Sequence, residues 1–262
     1  MRVIDSHAHL SFDIFRRDLD NVVAKARKAG VVAVVNPTIT PRDFENALRI
    51  AERYKDYVFP ALGLAPQILN EELFQKFLLA LKNFEKSYIA VGECGLDFHW
   101  VRDEEKVDFM RESFREVLQI VEKLGKPIII HARSAHHRNA YIEIVRELEV
   151  HKIKKAVFHA FLGSKKDIRM ILNGDWLVSI PTVYVRRRDL WHIISSVPLE
   201  RMLVETDSPY LAPRRGIRNE PANVIEVVKL IARINNMDEE DVAEILTKNT
   251  INLFELRIID ID

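Results

Sequence analysis

The fold class that this sequence predicts is α/β, a TIM (β/α)8 barrel, and three observations predict it. Short β-branched runs alternate with longer segments of helical period, the runs are apolar along their length, and polar clusters collect at their trailing ends. A doubly wound open sheet is the rival for the first two observations. The third decides, because only a barrel brings the C-terminal ends of all strands together on one face.

The strand candidates, in order, are Arg2–Ile4, Val31–Val35, Tyr57–Leu62, Tyr88–Val91, Pro127–Ile130, Ala156–Phe158, Trp176–Ile180 and Arg201–Val204. Val31–Val35 and Pro127–Ile130 are continuously apolar rather than alternating, as expected of parallel strands covered on both faces. Between them, Leu19–Ala29, Pro41–Tyr54, Glu71–Lys86, Glu104–Leu124, Tyr141–Leu148 and Lys165–Leu172 carry the helical period. Pro41 at a helix start, and Gly30 and Gly125 after helix ends, fit the usual asymmetry of helix termini. After the last strand, Val224–Ile234 and Glu239–Leu246 read as a closing helix pair. No linker, repeat or low-complexity stretch interrupts the alternation, so residues 1–262 are expected to form a single domain.

Composition narrows the function classes. With 48% hydrophobic and 30% charged residues, the chain has material for a large core and disorder is not expected. Lys plus Arg and Asp plus Glu balance at 39 each, which removes the simplest argument for nucleic-acid binding, a globally basic protein. An anionic substrate would therefore be held by local charge or by metal. No apolar run is long enough to cross a bilayer, so no membrane association is expected. A strand-like run begins almost at the N-terminus and there is one cysteine, Cys94, so cytoplasmic residence is the expectation. The sequence assigns no protein partner.

The chemistry lies at the strand ends. The first strand runs into Asp5-Ser6-His7-Ala8-His9, the fourth into Gly92-Glu93-Cys94-Gly95-Leu96-Asp97, and the fifth into His131-Ala132-Arg133. The sixth ends at His159 and the eighth at Glu205-Thr206-Asp207-Ser208-Pro209. An isolated histidine at a strand end is more often a hydrogen-bonded rim residue than a ligand. Five strands that all end in ligand-type residues are harder to dismiss, and four imidazoles with two carboxylates suit one or two borderline metal ions.

These blocks, with His159-Ala-Phe-Leu-Gly-Ser164, Arg218-Asn-Glu-Pro221 and Asn249-Thr-x-x-Leu-Phe254, resemble the signature blocks of the TatD family of metal-dependent hydrolases, in the family's order and over nearly the whole chain. The resemblance implies a barrel of the amidohydrolase superfamily with a pair of divalent metal ions (Zn, Mn or Mg) and metal-dependent deoxyribonuclease activity. Carried over by position, His7 and His9 would bind one metal and His131 and His159 the other. Glu93 would bridge them, and Asp207 would bind a metal and steer the attacking water. One place departs from the family: where many members have Gly-x-His-Pro-His after the third strand, this chain reads Gly63-Leu-Ala-Pro-Gln67.

The residues also bear on the bridge directly. The fourth strand offers only Glu93 at that position, and Lys126 lies at the wrong end of the fifth strand for a lysine-bridged pair. A carboxylate can span two metals about 3.5–4 Å apart. In this scheme Asp207 accepts the proton of the attacking water, and Glu205, two residues earlier, either supports a ligand or makes a structural hydrogen bond.

For the substrate, Arg133 is expected to engage a phosphate, and Arg214, Arg215 and Arg218 after the eighth strand and Arg186 to Arg188 after the seventh to hold a backbone. A charge run is as often a solvated face. His99 and Trp100 are candidates for stacking on a base or capping the pocket. His136 and His137 read as an exposed helix start, His151 and His192 as surface residues, and Cys94 as a buried thiol rather than a nucleophile. DNA or another phosphodiester, engaged as a single-stranded end, is the expected substrate; the alternative is a small ester, amide or lactone.

Overall fold

The computed structural model describes residues 1–135 and 137–258. Eight parallel strands form one sheet in sequential order: β1 (Val3–Asp5), β2 (Val31–Pro37), β3 (Val58–Leu62), β4 (Ala90–Asp97), β5 (Ile128–Arg133), β6 (Ala156–Phe158), β7 (Leu177–Pro181) and β8 (Met202–Glu205). The ring closes where β8 meets β1: Ser6 N–H donates to Val204 O at 3.0 Å and Asp207 N–H to His7 O at 2.9 Å. This is the TIM barrel that the strand–helix alternation predicts.

The outer layer contains α1 (Leu19–Ala29), α2 (Phe44–Arg53), α3 (Glu71–Asn83), α4 (Glu104–Leu124), α5 (Ala140–Val150), α6 (Lys165–Asn173), the one-turn α7 (Trp191–Ile194), α8 (Val224–Asn235) and α9 (Glu239–Phe254). Capping follows residue chemistry. Asn70, Asp103, Asn139 and Ser164 each accept a backbone N–H at the start of α3, α4, α5 and α6. Gly125 closes α4 in the left-handed conformation. α5 begins at Ala140, so His137 lies in an exposed turn before the helix rather than at its start; His136 lies outside the described residues. Among the described residues, no helix is long and apolar enough to cross a membrane.

Two apolar layers result from strand alternation. Outward-facing residues such as Val34, Val91, Ile130 and Phe158 pack against the helices. Inward, Ile4, Ala33, Val35, Ala61, Ala90, Ile129, Val157 and Leu203 fill the barrel, and Leu253, Phe254 and Leu256 at the end of α9 pack onto the same cluster. Two residues beyond this inner set, the same inward face carries His131 on β5, His159 after β6 and Glu205 on β8. The apolar barrel core is thus the floor of a polar centre.

Most strand boundaries differ from the sequence expectation by one residue at the start and one to three at the end. The widest gap is β4, expected at Tyr88–Val91 and found at Ala90–Asp97. The apolar run ends at Val91, but the ladder continues through the polar segment, pairing Gly95 with His131 and Asp97 with Arg133. Glu93 and His131 therefore lie within strands rather than on loops.

Candidate metal centre

Glu93 owes its direction to an irregularity in β4. Val91 pairs with Ile128 and Cys94 with Ile130, so three steps on β4 match two on β5. The extra residue is a bulge, and it reverses the alternation. Ala90 faces the barrel interior and so does Glu93, whereas Cys94 and Leu96 return to the helix-facing layer. Glycine is required on both sides of Glu93. Gly92 has φ 125° and a Cβ there would meet Ile129 O at 2.4 Å; Gly95 has φ 151° and its Cβ would meet His131 O at 2.1 Å.

Around Glu93, the ligand-type atoms form two groups. His7 Nε2 lies 3.2 Å from His9 Nε2. Glu93 Oε2 is 3.5 Å from each of those nitrogens, and Asp207 Oδ1 is 3.7 Å from His7 Nε2 and 3.3 Å from His9 Nε2. On the other side, Glu93 Oε1 is 2.7 Å from His131 Nδ1 and 3.2 Å from His159 Nε2, and those two nitrogens are 3.4 Å apart. An ion bonded tetrahedrally at 2.0–2.2 Å separates its ligand atoms by roughly 3.3–3.6 Å. Four of the eight edges fall within that spacing, three more lie within about 0.1 Å of it, and the Glu93–His131 edge is shorter. The two oxygens of Glu93 belong to different groups, which is the arrangement a bridging carboxylate needs.

Further carboxylates hold the imidazoles. Asp97, fully buried, accepts from His131 Nε2 at 2.9 Å and from the Gln67 amide at 2.9 Å. His131 thus presents Nδ1 to Glu93. Gln67, in the segment that departs from the family pattern, supports the carboxylate that orients a ligand. His9 Nδ1 meets Pro37 O at 3.1 Å. Glu205 Oε1 accepts from Ala160 N–H at 2.7 Å and lies 3.6 Å from His159 Nδ1. His7 and His159 stack with ring centroids 4.1 Å apart. Their Nδ1 atoms and Glu205 Oε2 are buried without a hydrogen-bond partner among the described residues. Asp5 ties the two ends of the barrel seam, accepting from Thr206 N–H at 2.9 Å and from Thr206 Oγ1 at 2.6 Å.

The electrostatics are those of buried carboxylates and imidazoles set against one another. Burial pushes the Glu93 carboxyl up, but His159, His131 and His7 outweigh it and hold it well below the usual carboxylate range. Burial lowers His159, yet Glu93 and Glu205 carry it well above the ordinary imidazole value. His131 rises for the same reason, burial being outweighed by Asp97 and Glu93. His9 rises because Asp207 and Glu93 outweigh its burial, while burial and the nearby His159 lower His7. Metal ions would replace these protons on the same nitrogens and release them.

The centre lies at the base of an open cavity of about 1140 Å³, lined in part by Glu93, His99, Trp100, Arg133, Asp207 and Tyr210. Arg133 and His99 are therefore at the pocket. The other arginines are placed elsewhere. Arg218 donates to Asp18 at 2.6 and 3.0 Å, to Glu220 at 2.7 Å and to Ile14 O at 2.8 Å, outside the pocket lining; its guanidinium is committed to joining the loop after β8 to the loop before α1. Arg218, expected to meet substrate, is thus placed among these contacts and outside the cavity lining. Arg214 faces Glu226 at 3.4 Å on the exposed loop that also carries Arg215, and neither lines the cavity. Arg186 donates to Ala212 O, Arg187 pairs with Asp189 and Arg188 lies over Trp191. These arginines are exposed and turned towards neighbouring acids, backbone carbonyls and Trp191. Cys94 is buried, and its burial pushes the thiol up, away from nucleophile chemistry. His151 and His192 lie away from the pocket.

Sequence reasoning did not assign functional roles to Asp5, Phe12, Gln67, Asp97 or Tyr210. A signal existed for Asp97, which ends the Gly92–Asp97 block. Phe12 and Tyr210 lie in loops, where no periodicity marks the side chains that turn inward.

Comparison with known proteins follows the same lines. Residues 4–255 match the family described as TatD related DNase. Deoxyribonuclease TATDN3 of Homo sapiens is 32% identical over 263 residues, covering 96% of this chain and 94% of its own. The metal-dependent hydrolase YabD of Bacillus subtilis is 33% identical, covering 97% and 99%. Among solved structures, the TatD homologue YJJV of Escherichia coli superposes with a TM-score of 0.87 at 25% identity, covering 98% of this chain and 99% of that one.

Proposed function

The chain belongs to the TatD-related DNase family, and from that premise we propose that it is a metal-dependent deoxyribonuclease whose residues 1–262 form one catalytic domain. The observation that carries the reading is the division of Glu93, with Oε2 facing His7, His9 and Asp207 and Oε1 facing His131 and His159. Two divalent ions would fit this donor set: His7, His9 and Asp207 would hold one, His131 and His159 the other, and Glu93 would serve both. Imidazole and carboxylate ligands together accept Zn²⁺, Mn²⁺ or Mg²⁺. Bound there, such ions supply Lewis acidity that acidifies water and offsets charge on phosphate oxygens.

The chain's own residues do the rest. Asp207 reaches the pocket surface and is the proton acceptor for the attacking water. Arg133, exposed on the pocket wall two residues beyond His131, neutralises the non-bridging oxygens of the substrate phosphate. Asp97 and Glu205 orient the imidazoles from behind. With the outer arginines outside the cavity lining, the cationic contact at the pocket is small, which suits a short single-stranded end rather than a long duplex footprint. A cavity of about 1140 Å³ with aromatic walls also exceeds what a small ester or lactone needs.

The experiment is reconstitution of metal-stripped protein with Zn²⁺, Mn²⁺ or Mg²⁺, assayed on a single-stranded oligonucleotide, its duplex, a chromogenic phosphodiester and a panel of esters and lactones. Phosphodiester cleavage that requires added metal and favours the single strand is the expected outcome. Full activity in excess chelator would overturn the metal mechanism. Hydrolysis of an ester or lactone without any phosphodiester cleavage would replace the nuclease reading.

A further inference from the structure

Two exposed aromatic side chains face the same cavity from opposite sides of the barrel. Trp100 follows β4 and is 64% exposed; Tyr210 follows β8 and is 55% exposed. In the closed eight-strand ring, β4 and β8 lie half a circuit apart, with the metal-ligand cluster between them. Both residues line the pocket.

Exposed apolar residues are ordinary when scattered. These two are each anchored beside a group of the candidate metal centre. Trp100 N–H donates to Asp97 Oδ1 at 3.0 Å, and Asp97 is the carboxylate that orients His131. The Trp100 ring is braced edge-on by His99, with centroids 5.0 Å apart, and the Arg133 guanidinium lies 5.7 Å from the Trp100 ring centroid. On the opposite side, Tyr210 N–H donates to Asp207 O at 2.8 Å, and Tyr210 O accepts from buried Asn219 at 2.7 Å. The Tyr210 ring meets Phe12 edge-on at 6.1 Å, and Phe12 stacks on His9 at 4.7 Å. The backbone carrying each exposed ring is thus tied to the ligand shell by hydrogen bonds, and each ring rests against an aromatic neighbour, which lowers the ordering cost of binding.

A phosphodiester has one nucleoside on each side. Resting on the phosphodiesterase reading above, we propose that Trp100 and Tyr210 are two base platforms, one for each nucleoside flanking the scissile phosphate. The dinucleotide step is splayed open across the pocket, with its phosphate beside Arg133 over the candidate metal centre and its two bases stacked on opposite walls. Stacking on aromatic faces tolerates any base, so the clamp recognises unstacked nucleotides without reading sequence. A duplex enters only after both bases leave their stacks, which costs unpairing energy.

The test uses the metal-loaded full chain and three single-stranded oligonucleotides: one with all its bases, one abasic on the 5′ side of the scissile bond and one abasic on the 3′ side. Trp100→Ala and Tyr210→Ala are each expected to lower kcat/KM on the first by about 5- to 150-fold, the loss that removing one base–aromatic stack produces. Each loss should vanish on one of the two abasic substrates, and the two variants should respond to opposite sides. Trp100→Phe and Tyr210→Phe should recover most of the loss. Fluorescence anisotropy of the same oligonucleotides on metal-free protein should reproduce this side-by-side pattern in Kd. Losses that persist on both abasic substrates, losses erased by the same side, or no loss at all would overturn the clamp. If the wild-type protein binds all three but cleaves none, the phosphodiesterase reading fails and the anisotropy pattern alone decides the clamp.

Discussion

His131 Nε2 and Asp97 Oδ2 are 2.9 Å apart, on the edge of the imidazole opposite the Nδ1 that meets Glu93 Oε1 at 2.7 Å. The pair fixes the ring's orientation and keeps the Nε2 proton in place, so that Nδ1 is the nitrogen available to a metal. Substituting Asp97→Asn is expected to weaken one metal site by about 10- to 100-fold, the usual cost of losing such a support, and to spare the site built on His7 and His9. Zinc titration against a competing chelator resolves the two affinities. Equal weakening of both sites would show that Asp97 acts on the fold rather than on His131.

Asp207→Asn removes the proton acceptor and keeps the shape of the side chain. Turnover should fall by at least about 10²- to 10⁴-fold, the range of general acid–base contributions. At least one metal should remain, because His131, His159 and Glu93 are untouched. Steady-state kinetics with elemental analysis of the same sample checks both halves of the prediction.

The arginines should separate into two classes. Arg133→Ala is expected to lower kcat/KM by about 10- to 100-fold on both an oligonucleotide and a small chromogenic phosphodiester, the value of a charge-assisted hydrogen bond. The salt dependence on the oligonucleotide should flatten by about 0.7 in logarithmic slope. Arg214→Ala with Arg215→Ala should leave both substrates within about twofold on short strands, because neither residue lines the cavity. Arg218→Ala should instead lower Tm, since it unties the loop after β8 from Asp18. A rise in KM without a fall in Tm for Arg218→Ala would restore it to the substrate site.

Asp5 gives a pH signature. Burial raises its carboxyl to about 8, against the lowering effect of its hydrogen bonds from Thr206. A raised acid keeps its proton in the folded state after the unfolded chain has lost it. The folded state therefore binds more protons between the ordinary aspartate value and about 8, and stability declines as pH rises through that window. The contribution is fully present below the unfolded pKa and lost above the folded one. Denaturant titrations of metal-free protein should show this decline in wild type and a flatter profile in Asp5→Asn, which retains a neutral side chain able to bond Thr206. An unchanged slope in the variant would assign the decline to other groups.

The barrel was legible because parallel strands buried on both faces need continuous apolar runs, and Val31–Val35 and Pro127–Ile130 supply them. The ligand-type residues were legible because they occupy the ends of those runs, and the structure gathers His7, His9, Glu93, His131, His159 and Asp207 around one cavity. What the sequence hid was non-local. The bulge that turns Glu93 inward depends on register with β5, and nothing in β4 alone distinguishes it from a regular strand. The commitment of Arg218 to Asp18 joins positions 200 residues apart. Trp100 was legible as a candidate for base stacking, but its pairing with Tyr210 across the rim was not, because the two sit on loops after different strands.

The closure of the ring by β1 and β8 also has a temporal side. His7 and His9 are translated before Glu93, and Asp207 is translated only after β8 has been made. Asp5 and Thr206, which fasten the seam, are 201 residues apart. During synthesis the early histidines are thus exposed, on a nascent chain that lacks both Glu93 and Asp207. Any ion captured then would meet at most part of its final shell and exchange readily. The donor set that would hold an ion comes together only when β8 docks against β1, after every one of its residues has been made.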